Sequence, residues 1–338
     1  MKSKKLVAAV LSVMVAGSLL VAGCGGGDKK QAAPASDKKY TFRLAETHPA
    51  DYPTTQGDKE FARLVGERSN GRIKIDVYPG SQLGEEKAVI EQVKLGAIEM
   101  TRVNASPLAE FNKQFGALSL PYVFDSDAHL WKFLEGPMGN KMLDGLESSR
   151  FKGLAYYDSG ARSFYAAKPI KSINDIKGLK IRVQQNKINM DMIAALGASA
   201  TPMPYGEVFS ALQTGIIDAA ENNYPSFYSS NHFQSAKHML LDRHQRTPEV
   251  LMMSKAAWDK LSDDDKKLIK QAAMDSAKFQ REVWAKYEKE SEAKLREAGV
   301  TITDVTDVKP WQAAVKPVID KYAVDYKDVL DAIDAARK

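Results

Sequence analysis

From Tyr40 onward the apolar positions of this chain switch between two periods. Phe42 and Leu44 mark a short strand. Phe61, Leu64 and Val65 then recur at helical spacing until Asn70-Gly71 ends the helix, and Ile73, Ile75 and Val77 return to strand alternation. Pro79-Gly80 turns the chain. Residues 85–95 read as a helix with Val89, Ile90 and Val93 inward and Gly96 closing it, and 98–103 is strand-like again. This β-α-β-α-β order predicts an α/β lobe.

The same grammar returns further on. Leu179, Ile181 and Val183 alternate as a strand, Met192, Ile193 and Leu196 mark a helix ending at Gly197, and Val208 and Leu212 mark another ending at Gly215, after which Ile217 opens a strand. Gly96-Ala97-Ile98-Glu99-Met100 can be laid over Gly215-Ile216-Ile217-Asp218-Ala219. Each copy follows a helix and leads to asparagine, Asn104 in one and Asn222-Asn223 in the other. The carboxyl ends of parallel strands are where open α/β sheets bind ligands, so two such edges facing each other predict a cleft. Near the C-terminus, Ser262 with Asp265 gives a capping-box-like start, and Ile269, Ala272, Ser276, Phe279, Val283 and Tyr287 keep three-four spacing toward Gly299. A helix from 263 to about 298 spans roughly 50 Å at 1.5 Å per residue, longer than one small lobe, and should brace both.

The first forty residues break the pattern. Lys2, Lys4 and Lys5 precede an uncharged apolar run over 6–21 that stops at Ala22-Gly23-Cys24, which reads as a signal peptide over 1–23. Cys24 is the only cysteine, flanked by an apolar run and Gly25-Gly26-Gly27, and the arrangement resembles the lipobox of bacterial lipoproteins. Residues 24–39 are then a lipidated flexible linker without large apolar residues, and the expected location is extracytoplasmic, in the periplasmic space or on the outer cell surface, with a membrane anchor at Cys24. No internal disulfide can form, so packing must supply stability. With 44% hydrophobic residues, the apolar mass suffices for two cores. Taking the three signal lysines from the 48 basic residues leaves 45 against 43 acidic, a balance of +2 that carries no nucleic-acid footprint.

Catalytic and cofactor signatures are missing. No two of His48, His129, His232, His238 and His244 stand three or four apart, no cysteine joins them, and neither a Walker-type loop nor Gly-x-Gly-x-x-Gly is present. Ser163 in Gly160-Ala161-Arg162-Ser163-Phe164 lacks the second glycine of a nucleophile elbow. The expectation is a binding protein with no cofactor and no metal, not an enzyme. Arg182 is the informative residue. The alternation that buries Ile181 and Val183 turns Arg182 to the other face near the strand's carboxyl end, with no acidic residue close in sequence to pair with it. Its partner is either a ligand anion or a carboxylate across the cleft. Arg162 poses the same question.

The stretch Asp175-Ile176-Lys177-Gly178-Leu179-Lys180-Ile181-Arg182-Val183, with Thr201-Pro202-Met203-Pro204-Tyr205-Gly206-Glu207-Val208, Ala211-Leu212-Gln213-Thr214-Gly215 and Asp218-Ala219-Ala220-Glu221-Asn222, closely resembles the solute-binding subunits of tripartite ATP-independent periplasmic (TRAP) transporters. The resemblance runs from Tyr40 through Pro79-Gly80-Ser81-Gln82-Leu83-Gly84-Glu85-Glu86 and Leu120-Pro121-Tyr122 to Trp258-Asp259-Lys260-Leu261. It implies a two-lobed α/β fold of the periplasmic-binding-protein kind, with a ligand cleft between the lobes and a long lobe-spanning helix. Lobe I would hold 40–159 and 248–288, and lobe II 160–247 and 289–338. The implied partners are a small organic acid and the transporter's membrane subunits. By residue matching, Arg182 would grip the substrate carboxylate, Arg162 would be the second cation, Asn222 an orienting amide and Tyr205 an aromatic wall, with Glu86 and Asn104 contacting hydroxyls or an amine from the other lobe.

His48-Pro49 with Tyr52-Pro53, Arg102-Val103-Asn104, and Gly160-Ala161-Arg162-Ser163-Phe164-Tyr165 with Gln184-Gln185 look like the members that bind hexuronates. His48, Glu86, Asn104, Gln184 and Asn222 offer the mixed donors and acceptors that a ring of hydroxyls needs. Arg102 and Arg162 leave the acid open. They could serve a second carboxylate, as in malate or succinate, or pair with Glu46 or Glu221. A sensory ligand-binding protein of the same build remains an alternative.

Overall fold

The computed structural model describes residues 38–337, so the signal-like run, Cys24 and the linker as far as residue 37 lie outside the described residues. Among the described residues the chain builds two sheets. Strands β1 (Tyr40–Ala45), β2 (Ile73–Tyr78), β3 (Met100–Asn104) and β4 (Phe151–Tyr157) belong to the first. β5 (Arg162–Ala166), β6 (Lys180–Val183), β7 (Ser199–Pro202), β8 (Ala219–Asn222) and β9 (His238–Gln245) belong to the second. β10 (Glu249–Ser254) returns to the first and β11 (Thr301–Asp304) to the second. The orders are β2-β1-β3-β10-β4 and β11-β9-β5-β8-β6-β7. β1, β2 and β3 are parallel, as are β6, β7 and β8, while β10 and β5 run antiparallel to both their neighbours. The chain therefore crosses between sheets at 158–161, again at 246–248 and a third time between Ser254 and Thr301, which makes each lobe discontinuous in sequence.

The expected repeat is present in the backbone. Met100 and Ala219 each begin a strand, and the residue before each braces a neighbouring strand: Glu99 accepts the Arg43 N–H of β1 at 2.9 Å and Asp218 accepts the Lys180 N–H of β6 at 2.8 Å. Asn104 and Asn223, at matching positions, each cap a following helix through side-chain oxygens that accept the N–H of Ser106 and Ser226. Ile217 is buried just ahead of β8 rather than opening it.

Apolar side chains sandwich each sheet. On one face of the first, Phe42, Leu44, Phe61 and Val65 meet Ile269, Ala272 and Ala273 of the long helix Asp263–Glu297. Leu295 of that helix lies in the second lobe's core with Tyr165, Phe227 and Met239, so the helix braces both lobes as its length requires. Its middle is tied to the first crossover. Gln280 accepts the Asp158 N–H at 2.7 Å and donates to the Asp158 carbonyl at 3.0 Å. The approach of the helix Pro53–Arg68 here demands Gly57, since a Cβ would lie 2.9 Å from both Gln280 and Tyr157.

The C-terminal segment departs from the expected lobe boundary. Trp311 and Val315 sit in the second lobe's core, but Val318, Tyr326, Val329 and Ile333 lie in the first lobe's, beside Phe124 and Leu130. His129 Nε2 meets the Ile333 carbonyl at 2.7 Å. Residues 326–335 thus pack on lobe I, not with 289–338 as one body in lobe II. An amphipathic helix announces an apolar face without naming the lobe it covers. No helix among the described residues is long and apolar enough to cross a membrane.

Candidate functional site

The carboxyl ends of β1, β3, β6 and β8 converge on a narrow polar cavity. Its first-lobe side comprises Thr47, His48, Glu86, Asn104 and Glu249; Arg162, Arg182, Gln184, Tyr205, Asn222 and Ser226 form the second-lobe side, and Ser159 of the crossover joins them. Eight of the residues singled out in the sequence meet here. The ninth, Arg102, does not.

Arg182 stands out by what it lacks. It is 3% exposed, its Nε and Nη2 both donate to the Met203 carbonyl at 3.1 and 2.8 Å, and it enters no ion pair among the described residues. Two of its five N–H donors meet that one oxygen. Burial pulls its pKa down, Glu221 opposes that, and the nearby Arg162 pulls it down further. The Tyr205 ring lies 6.0 Å from its guanidinium carbon, and the Tyr205 hydroxyl donates to the Ser226 carbonyl at 3.2 Å.

Arg162 is built differently. Its Nε donates to Glu221 Oε2, its Nη2 to Glu221 Oε1 at 2.9 Å and the Glu221 carbonyl at 2.8 Å, and its Nη1 to Asn222 Oδ1 at 3.1 Å. Glu221 also faces His244 Nε2 at 3.6 Å, and His244 Nδ1 lies 2.9 Å from Asp242. Burial alone would raise the Glu221 pKa, yet Arg162 and His244 hold it at about 2. Asn222 Oδ1 additionally accepts the Asn223 N–H, which leaves its amide NH₂ for a solute.

Arg102 lies wholly buried behind the first-lobe side. Nε donates to Glu46 Oε2 at 2.8 Å, Nη2 to Glu46 Oε1, and Nη1 to Glu249 Oε2 at 2.7 Å and Glu86 Oε1 at 3.2 Å. The expectation that Arg102 touches substrate is corrected: three carboxylates enclose it, the Glu46 pairing among them. Asn104 lines the cavity with its side chain largely occupied, since Oδ1 accepts the Ser106 N–H and Nδ2 donates to Glu249 Oε1 at 2.8 Å and the Thr247 carbonyl at 3.3 Å. Glu86 takes the Asn104 N–H on Oε1 and has no partner on Oε2 among the described residues. Burial raises it to about 7; Arg102 opposes the rise and Glu249 adds to it.

Two buried polar atoms in the cavity have no partner among the described residues, His48 Nδ1 and Gln184 Oε1. Buried polar groups are rarely left this way, so both point to a ligand. His48 stacks on Tyr52 at 3.8 Å and meets Tyr205 edge-on at 5.1 Å. Burial, with Arg102 adding to it, depresses its pKa to about 3, which makes it a neutral hydrogen-bonding group. Tyr52 reaches across the cleft, its hydroxyl 2.7 Å from Ser226 Oγ. Sequence reasoning missed Thr47, Ser159, Ser226 and Glu249. Only Glu249 left a signal, an acid standing directly before the apolar run Val250-Leu251-Met252-Met253.

Two braced lobes meeting at a narrow polar cavity lined by buried side chains are the build of a solute-binding protein. Residues 44–325 match the DctP family, bacterial extracellular solute-binding protein family 7, and the chain belongs to it, a solute-binding protein of the TRAP transporters. It is similar to a TRAP periplasmic solute binding protein from Bradyrhizobium sp. BTAi1 solved with bound D-galacturonate, at 46% identity and TM-score 0.85, covering 88% of this chain and 99% of that one. A TRAP periplasmic solute binding protein from Pseudomonas putida F1 with bound D-glucuronate is 40% identical with TM-score 0.86, covering 87% and 97%. A solute-binding protein of Chromohalobacter salexigens is 37% identical over 86% of both chains. Membership makes this protein an extracytoplasmic carrier for a membrane transporter, not an enzyme.

Proposed function

We propose that this protein captures a hexuronate, glucuronate or galacturonate, and that Arg182 forks the substrate carboxylate. The observation that carries the reading is the buried Arg182 guanidinium, which faces the cavity without a carboxylate of the protein. A buried cation is costly unless paired, and an arginine–carboxylate fork adds two parallel charge-assisted bonds of about 1.5–3 kcal/mol each. The Asn222 amide orients the carboxylate, Tyr205 walls the ring, and Glu86, Gln184 and His48 take hydroxyls. Relatives with bound glucuronate and galacturonate support the substrate class.

The side chains lining the cavity are mostly buried and the space between them is small, so a sugar-sized solute enters only when the lobes part. Opening pivots at the crossovers 158–161 and 246–248 beneath the long helix, and the solute shifts the equilibrium toward the closed form by bonding to both lobes at once. Cys24, a lone cysteine behind an apolar run, is the lipid attachment point that keeps the protein at the membrane. Thermal unfolding against glucuronate, galacturonate, malate, succinate and sialic acid tests the substrate class. A ligand at about a hundred times its dissociation constant adds about 2.7 kcal/mol. A shift with a uronate is expected, and a shift with malate or succinate alone contradicts the reading.

A further inference from the structure

We propose that the first-lobe wall, Glu249 with Glu86 beside it, makes the protein selective for sugar monocarboxylates and turns away the diacid of the same carbon skeleton. The inference rests on the sugar-acid reading and adds what decides between acids. Four acidic side chains, Glu46, Asp58, Glu86 and Glu249, gather around a single cation, Arg102. Arg102 directs Nε and Nη2 to Glu46, which it holds at about 2 against the opposing effect of burial. Asp58 is pushed well above its ordinary value, first by burial and then by Glu46. Glu249 accepts from Arg102 on one oxygen and from Asn104 on the other. Glu46, Glu86 and Glu249 all lie within bonding distance of the one guanidinium, so acids outnumber the cation on this side.

The facing wall has the opposite sign. Arg162 is balanced by Glu221, and Arg182 is a cation in excess. The cavity thus has a positive pole at Arg182 and a negative pole at Glu249 and Glu86. A solute with a carboxylate at one end and hydroxyls at the other satisfies both, because hydroxyls donate to carboxylates. A second carboxylate arriving at the negative pole brings no proton to donate and meets like charge. His48 is neutral, Arg102 lies behind its acids and Arg162 is already forked, so among the described residues lining this side no free cation remains to receive it.

Titration calorimetry at pH 8 tests this on the full exported protein, with galacturonate, galactonate and galactarate as probes. Galactonate and galactarate share an open chain and differ by one terminal carboxylate. Galactarate is expected to bind about a hundredfold more weakly than galactonate, since like-charge contact costs several kcal/mol and each tenfold is 1.4 kcal/mol. Glu249→Gln should narrow that gap by about tenfold or more by removing a charge and supplying a donor. The unsubstituted protein decides the main question without any variant. Galactarate within about threefold of galactonate overturns the proposal. So does equal failure of both open-chain acids while galacturonate binds, for ring loss would then set the selectivity. If none of the three binds, the sugar-acid reading itself falls and this inference with it.

Discussion

Three residues on from the carboxylate that braces the neighbouring strand, the first lobe places Arg102 and the second Glu221. Both are at most 1% exposed, and both lie two residues ahead of a helix-capping asparagine. Around Arg102 stand Glu46, Glu86 and Glu249; around Glu221 stand Arg162 and His244. One backbone plan therefore carries a cation ringed by acids on one side of the cleft and an acid ringed by cations on the other. The difference teaches how a carrier separates scaffold from contact. Arg102 and Glu221 hold the walls in place, while the charges left over, Arg182 on one wall and Glu249 with Glu86 on the other, face the solute.

The comparison breaks most visibly at its two centres. Arg102→Met and Glu221→Met should each lower the unfolding free energy by about 3–5 kcal/mol in urea titrations, because removing one member leaves buried like charges uncompensated. A loss under about 1 kcal/mol for either would show that the rings are not structural.

A pH series sharpens it, since the lobes titrate differently. Burial lowers the His244 pKa, but Asp242 and Glu221 more than offset this and raise it from 6.5 to about 9. Because the folded pKa lies above the unfolded one, its contribution is whole below about 6.5 and is lost as the pH rises through 9. The loss amounts to about 3 kcal/mol, and His244→Asn should remove it. In the first lobe His48, held at about 3, titrates outside this window, and Glu86, raised to about 7, loses its proton near its lower edge.

The matching braces predict a smaller, paired effect. Glu99→Ala and Asp218→Ala should each cost roughly 1–2 kcal/mol, with Glu99 slightly ahead for its half-exposed pair with Arg43. Very unequal losses would undo the equivalence of the two strands.

Much of this was legible in the sequence, and the limits are physical. Strand alternation turned Arg182 away from the core, glycines marked the helix ends, and the short repeat located both strand ends that form the cleft. What stayed hidden is long-range. Arg102 meets Glu46 and Glu249 from 56 and 147 residues away, so nothing local reveals that its charge is already taken. Val329 and Ile333 mark an apolar face, but which lobe they cover depends on tertiary geometry. Thr47, Ser159 and Ser226 are small hydroxyl residues that leave no periodic trace, and they enter the site because the crossover and Tyr52 bring them there.

The smallest effect on folding belongs to the residue with the largest expected role. Arg182→Met should leave the ligand-free protein unchanged or more stable by up to about 1 kcal/mol, as the substitution removes a desolvated cation that has no carboxylate partner. The most direct test of the whole account is calorimetric titration of this same variant with glucuronate and galacturonate. The account predicts intact folding with affinity lower by about 3–5 kcal/mol, two to three orders of magnitude or more, since the solute carboxylate is left buried and unpaired. Affinity within about tenfold of the unsubstituted protein would contradict it and return Arg182 to a structural role.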